Sequence, residues 1–122
     1  MKNIRLNAII AAVGLAVMLL SAQSQAELGM FLSGSDLLQK CESDSVAESN
    51  TCDGYILGIL DFQEALVGWS RLDEPIFCTP DSAISGQLIK VVIKYLNEHP
   101  EKLHFAASGA VTNALGIAFP CS

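Results

Sequence analysis

Basic side chains are scarce in this chain: seven Lys and Arg stand against 13 Asp and Glu, a formal net charge of −6 at pH 7. Lys2 and Arg5 sit at the extreme N-terminus, so from residue 27 onward five basic residues face all 13 acidic ones, a net charge of −8. Such a chain has no basic patch with which to hold nucleic-acid phosphates, and an anionic membrane surface repels it. The charge permits a basic protein partner steered by long-range attraction, while solubility alone also accounts for it. Alternation of apolar and polar residues long enough for a strand is missing as well.

The constellations that carry chemistry are missing in turn. No two cysteines have the two-residue spacing of zinc and redox motifs, and His99 and His104 are not one helical turn apart. Trp69-Ser70-Arg71 lacks the second flanking glycine of a nucleophile elbow, and no glycine-rich phosphate loop occurs. Asp53, Asp61 and Glu64 fall roughly on one helical face, but no partner group marks a cleft there, so a solvated face is the better reading. The sequence predicts no catalytic residue, no metal site and no cofactor.

What is present begins with an export signal. Lys2 and Arg5 make a positive n-region, Ala8 to Leu20 is almost wholly apolar, and Ser24-Gln25-Ala26 supplies the small residues of a peptidase site. The apolar run is shorter than the roughly 20 residues that span a bilayer, and polar Gln23 to Gln25 follow it, so a cleaved signal peptide over 1–26 is expected rather than an anchor. No cysteine lies near the cleavage point, which argues against a lipoprotein. The remaining 96 of the 122 residues, 27–122, make one small domain. A core of that size leaves modest stability, and covalent staples help. Four cysteines, Cys41, Cys52, Cys78 and Cys121, are at hand in a chain bound for an oxidising compartment, where a catalytic thiol is not expected.

The periodicity throughout is helical, and the predicted fold is all-α: a small, disulfide-stapled bundle of about four helices following the signal peptide. Ser33-Gly34-Ser35-Asp36 fits a capping box, with Leu32 and Leu37 as its hydrophobic staple, and opens a short helix to about Cys41. Glu42 to Asn50, serine-rich and acidic, reads as a loop. A second helix capped by Asn50 or Thr51 carries Tyr55, Ile59, Phe62, Leu66 and Trp69 as one stripe toward a core. Gly54 and Gly58, four apart on it, suggest a seam for a neighbouring helix. Ser70 to Ile84 reads mostly as loop, longer than the usual connection in a compact domain, which points to binding. Ser85 then caps a third helix to about Glu98, apolar on most sides, which His99-Pro100 stops. Pro100 opens a fourth, with Leu103, Ala107, Ala110, Ala114 and Ile117 along one side, and Pro120 ends it. Antiparallel hairpins place Cys41 near Cys52 and Cys78 near Cys121, and that pairing is favoured over two other connectivities that the sequence leaves open.

One ordered set of motifs goes further. Gly34 with Leu37-Leu38 and Cys41, Cys52-Asp53-Gly54-Tyr55-Ile56 with Gly58 and Asp61, Phe77-Cys78-Thr79-Pro80, Gln87-Leu88, Val91-Val92, Tyr95-Leu96, His99-Pro100-Glu101, Ala114-Leu115 and the closing Phe119-Pro120-Cys121 together resemble the Tai-type (Rap/Tai) family of periplasmic immunity proteins from type VI secretion systems. The resemblance spans nearly all of 27–122. It implies a helical, disulfide-bonded and often dimeric binding protein that neutralises a cognate amidase toxin, an effector that cuts peptidoglycan cross-links. The implied action is blockade without chemistry of its own. An orphan periplasmic binding protein, an acid-stress chaperone-like protein and an enzyme or enzyme accessory of the envelope are the alternatives.

For the surface that meets a partner, the expectation is the two irregular segments. The acidic one carries Asp44 and Glu48, and the long one carries Trp69, Arg71, Asp73 and Glu74. Loops bear recognition, and Trp and Arg are frequent interface anchors, although Trp69 also completes the core stripe of the second helix. The wide apolar surface of the third helix suggests a homodimer seam.

Overall fold

Helix α1 (Gly34–Cys41) begins where the capping box demands. The Ser33 hydroxyl oxygen accepts from the Asp36 N–H at 3.1 Å, and the Asp36 carboxylate accepts from the Ser33 N–H at 3.0 Å and from its hydroxyl at 2.6 Å. Two orphan donors of the first turn are thereby satisfied, and the acid also sits at the positive end of the helix dipole. The computed structural model describes residues 31–122, so the expected signal segment and its cleavage point lie outside the described residues.

Helix α2 runs Val46–Gly68, five residues' worth of sequence earlier than the Thr51 start that the serine-rich stretch suggests, and the first connection shrinks to Glu42–Ser45. Tertiary ties outweigh weak local propensity here. The Thr51 hydroxyl, a candidate cap, instead donates to the Ala47 carbonyl at 2.8 Å inside the helix, and Lys40 on α1 pairs with Glu48 in the first turn of α2 at 3.9 Å. A disulfide between Cys41 and Cys52 then locks the two helices.

The C-terminus of α2 has a definite stop. Ser70 takes a left-handed conformation, φ 54°, while its N–H donates to the Val67 carbonyl and the Arg71 N–H to the Leu66 carbonyl. These are the two bonds of a Schellman motif, with serine where glycine is usual.

Helix α3 (Ser85–Glu98) starts one residue after Ile84, so Ser85 is its first residue and no side chain caps it. His99-Pro100 ends it as the sequence indicates. The expected fourth helix is split: a single 3₁₀ turn, Pro100–Lys102, precedes helix α4 (Ala107–Ala118). The gap is occupied by pairing with the chain before α1. Ser33 bridges Ala106 in antiparallel fashion, the Gly34 N–H donates to the Phe105 carbonyl, and the Ala107 N–H donates to the Leu32 carbonyl. Extended backbone at Ala106, ψ 132°, makes this pairing possible and cannot belong to a helix. Gly34 eases the approach, since a Cβ there would stand a tight 3.2 Å from backbone atoms of Leu103.

The helices pack as two hairpins, α1 on α2 and α3 on α4, with α1 also meeting α3 and α4. Leu37 of α1, Ile56 of α2, Val92 and Leu96 of α3, and Val111 and Leu115 of α4 are completely buried at their meeting point. Ala107, Ala110 and Ala114 are buried as the α4 pattern predicts, but Ile117 is exposed. The second disulfide joins Cys78 to Cys121 and so closes the long connection onto the end of α4. With 11 and 43 residues separating the partners, the chain-entropy model assigns the two bridges about 3 and about 4 kcal/mol.

Candidate partner-binding surface

On α2 the residues that enter the core are Cys52, Ile56 and Gln63, not the predicted stripe. Tyr55, Ile59 and Leu66 of that stripe are half-buried, while Phe62 is 59% and Trp69 68% exposed. The stripe is a continuous helical face, but from Phe62 onward it looks out of the bundle. The difference has a physical source: α2 is apolar on several sides, and the 52-56-59-63 register fits helical spacing as well as the 55-59-62-66-69 stripe. Only the polar identity of Gln63 argued against the true register. Gly54 and Gly58 are likewise exposed with nothing packed against them, so they form no helix seam.

Gln63 is buried for a reason. Its side-chain oxygen accepts from the Ile76 N–H at 2.8 Å and the Phe77 N–H at 3.1 Å, and its amide nitrogen donates to the Phe77 carbonyl at 3.0 Å. A single side chain thus satisfies three backbone groups of the long connection and fastens it along α2. Phe77 fills the core beneath. Beyond it the Cys78 N–H donates to the Phe119 carbonyl at 2.8 Å, next to the disulfide.

This fastening leaves a groove of about 230 Å³ between α2, the long connection and α4. Ile59, Phe62 and Leu66 line one wall, Leu72, Ile76 and Phe77 another, and Ser108 and Thr112 of α4 face them. Phe62 and Ile76, 59% and 53% exposed, form its apolar rim, and exposed Trp69 follows one helical turn after the lining residue Leu66. Phe62, Leu72 and Ile76 are absent from the expected site. Phe62 was assigned to the core by periodicity, and the other two sit in a segment without periodicity to read.

The two expected binding segments are not brought together. Arg71, Asp73 and Glu74 are exposed beside Trp69 and the groove. Asp44 and Glu48 lie at the other end of α2, roughly 30 Å from Trp69 at about 1.5 Å per helical residue. Glu48 is helical rather than in a loop, and it is engaged by Lys40. Glu42 beside them accepts from the Asn97 side chain at 2.9 Å, and Asp44 is exposed.

Most apolar residues of α3 are used inside the chain: Leu88, Ile89, Val92, Tyr95 and Leu96 are buried. What remains toward solvent is a second groove of about 300 Å³, where Val91, Tyr95 and His99 face Ala114 and Ile117. Among the described residues no three His, Cys, Asp or Glu side chains converge as a metal site would require, and no helix is long and apolar enough to cross a membrane.

The sequence that builds this bundle is matched by a family model described as Rap1a immunity proteins over residues 33–121. The chain belongs to the Rap1a immunity protein family. No curated protein matches it significantly. The matched region begins at the cap of α1 and ends at the Cys121 staple, so the whole described Rap1a-family bundle is covered, including the groove and the Trp69 segment.

Proposed function

We propose that this Rap1a-family chain is an exported, periplasmic immunity protein. It binds a peptidoglycan amidase effector of a type VI secretion system and blocks it, protecting the cell from itself and its siblings. In this reading a signal peptide over 1–26 is removed and 27–122 is the functional domain. Two disulfides suit an oxidising compartment. The action is steric blockade, with no reaction performed by the immunity protein.

The observation that carries a binding role is the exposed apolar residues at the C-terminal end of α2 and in the connection after it, where Phe62, Trp69 and Ile76 are each more than half exposed in a chain with a small core. Apolar clusters of this kind are kept on a soluble surface for a partner. Trp69, Arg71, Asp73 and Glu74 are its proposed contact residues. A standard interface of about 800 Å² per partner is roughly 30 Å across, so Asp44 and Glu48 join it only at the far edge of a large effector. Pairing of two copies would use the groove of Val91 and Ile117, and sedimentation at micromolar concentration reads that directly.

The test is co-expression in the periplasm with a type VI amidase effector, scored for lysis. Protection is expected with the natural chain, and W69A with R71A should weaken binding by at least about 2 kcal/mol, some 30-fold, with helicity unchanged. Lysis despite expression of the folded immunity protein, with every amidase tried, would sink the proposal. Suppression of client aggregation at acid pH without protection would point to a chaperone-like role.

A further inference from the structure

The groove between α2, the long connection and α4 has features that a surface of merely exposed apolar residues lacks. Its volume, about 230 Å³, exceeds the roughly 150 Å³ that holds a benzene in an engineered protein cavity. Two of the three polar side chains in its lining are already engaged, since the Gln63 amide serves the Ile76 and Phe77 backbone and the Thr112 hydroxyl donates to the Ser108 carbonyl at 2.8 Å, and the third, the Ser108 hydroxyl, is exposed. An occupant therefore meets a mostly apolar wall, formed by Ile59, Phe62, Leu66, Leu72, Ile76 and Phe77. The outer wall is held at its start by the Leu72 N–H donating to the Leu66 carbonyl at 3.2 Å and at its end by Gln63 and the Cys78–Cys121 bridge, so binding does not have to order it first.

The charge around the groove selects the occupant. Exposed Asp73 and Glu74 lie between the lining residues Leu72 and Ile76, and exposed Asp61 precedes Phe62 on α2. Among the described residues none of these three carboxylates has an ion-pair partner, and Arg71 is the sole basic residue of the segment. A second copy of this acidic chain would bring like charge to the same place.

We propose that the groove is a socket for one large apolar side chain presented on a cationic segment of the effector, so that recognition is two-way: Trp69 reaches out while the groove takes in. This rests on the immunity reading above and adds to it the chemistry of the partner.

The experiment titrates the isotope-labelled domain with two capped peptides, Lys-Lys-Phe-Lys-Lys and Glu-Glu-Phe-Glu-Glu, following amide shifts. The cationic peptide should move Leu66, Leu72, Ile76 and Thr112, bind at least about tenfold tighter than the anionic one, and weaken at least about threefold between about 0.05 and about 0.5 M salt. T112F, which fills the groove from α4 without altering the Trp69 segment, should reduce binding at least about tenfold; S108L serves if that variant fails to fold. Equal binding of both peptides, unchanged binding by the filled groove, shifts confined to other residues, or no shift at millimolar peptide would overturn the socket. Concentration-dependent shifts of the same amides without peptide would overturn it in favour of a second copy. Lysis protection in the absence of any peptide response removes the socket and leaves the immunity reading standing, whereas peptide binding without protection removes the immunity reading.

Discussion

Replacing Gln63 by Met tests how the binding face is held. Methionine approximates the shape of glutamine but offers no donor and only a weak acceptor, so Q63M strips three backbone groups of their partners while leaving little cavity. Phe77 is 2% exposed, so its N–H and carbonyl have no ready access to water, whereas Ile76 is 53% exposed and its N–H can rehydrate. Two buried groups left unsatisfied cost about 1 to 3 kcal/mol each, and burying a thioether in place of an amide returns about 1 kcal/mol. The expected loss is about 1 to 5 kcal/mol, at roughly 4 to 8 °C of melting temperature per kcal/mol for a domain of this size. Urea unfolding measures the global effect, and native-state hydrogen exchange at Ile76 and Phe77 measures the local one. Both amides should lose their protection. A stability within about 0.5 kcal/mol of the natural chain, with the two amides still protected, would refute the view that Gln63 fastens this segment.

Three other outcomes follow from the geometry. Removing the solvent-exposed bridge with C78A and C121A should lower stability by up to about 4 kcal/mol and raise the denaturant slope, because the constraint acts on the unfolded chain; a loss under about 1 kcal/mol would contradict that. S70G should raise stability by about 0.5 kcal/mol in thermal melts, since glycine removes about 1 to 2 kcal/mol of left-handed strain and gives back about 0.5 to 1 kcal/mol of unfolded-state freedom. The Ser33 hydroxyl and N–H hold the Asp36 carboxyl below its ordinary value, helped by Lys40, so its contribution is present in full above about pH 3.9 and is lost as pH falls through the lowered value. Acid unfolding of D36N, compared with the natural chain, should lack that component, and identical pH profiles would count against the capping role.

The parts of the fold that could be read directly were those with local causes. The α1 boundaries came from one capping box, the α3 stop from His99-Pro100, and the disulfide partners from the antiparallel order of helices. The parts that escaped depend on distant chain. Nothing near Ala106 foretells the break in the fourth helix, because its cause is the extended segment around Ser33, over 70 positions earlier in the sequence. The early start of α2 depends on Lys40 and Cys41 in the preceding helix. At the candidate site, Trp69 and Arg71 were recognisable by residue type and loop length. The groove was not, since it exists only where Gln63 folds residues 72–77 back against α2 and α4 approaches from a third direction.

The Gln63 clamp grips main-chain atoms only, and the Cys78 bridge lies beyond the segment it steadies. Neither depends on which side chains occupy Trp69 to Ile76. Residues that would touch an effector can therefore be exchanged without loosening the frame that presents them. For a protein that must keep step with a changing toxin, this separates the positions that hold shape from those that choose a target, and lets lineages diverge in specificity while the bundle stays the same.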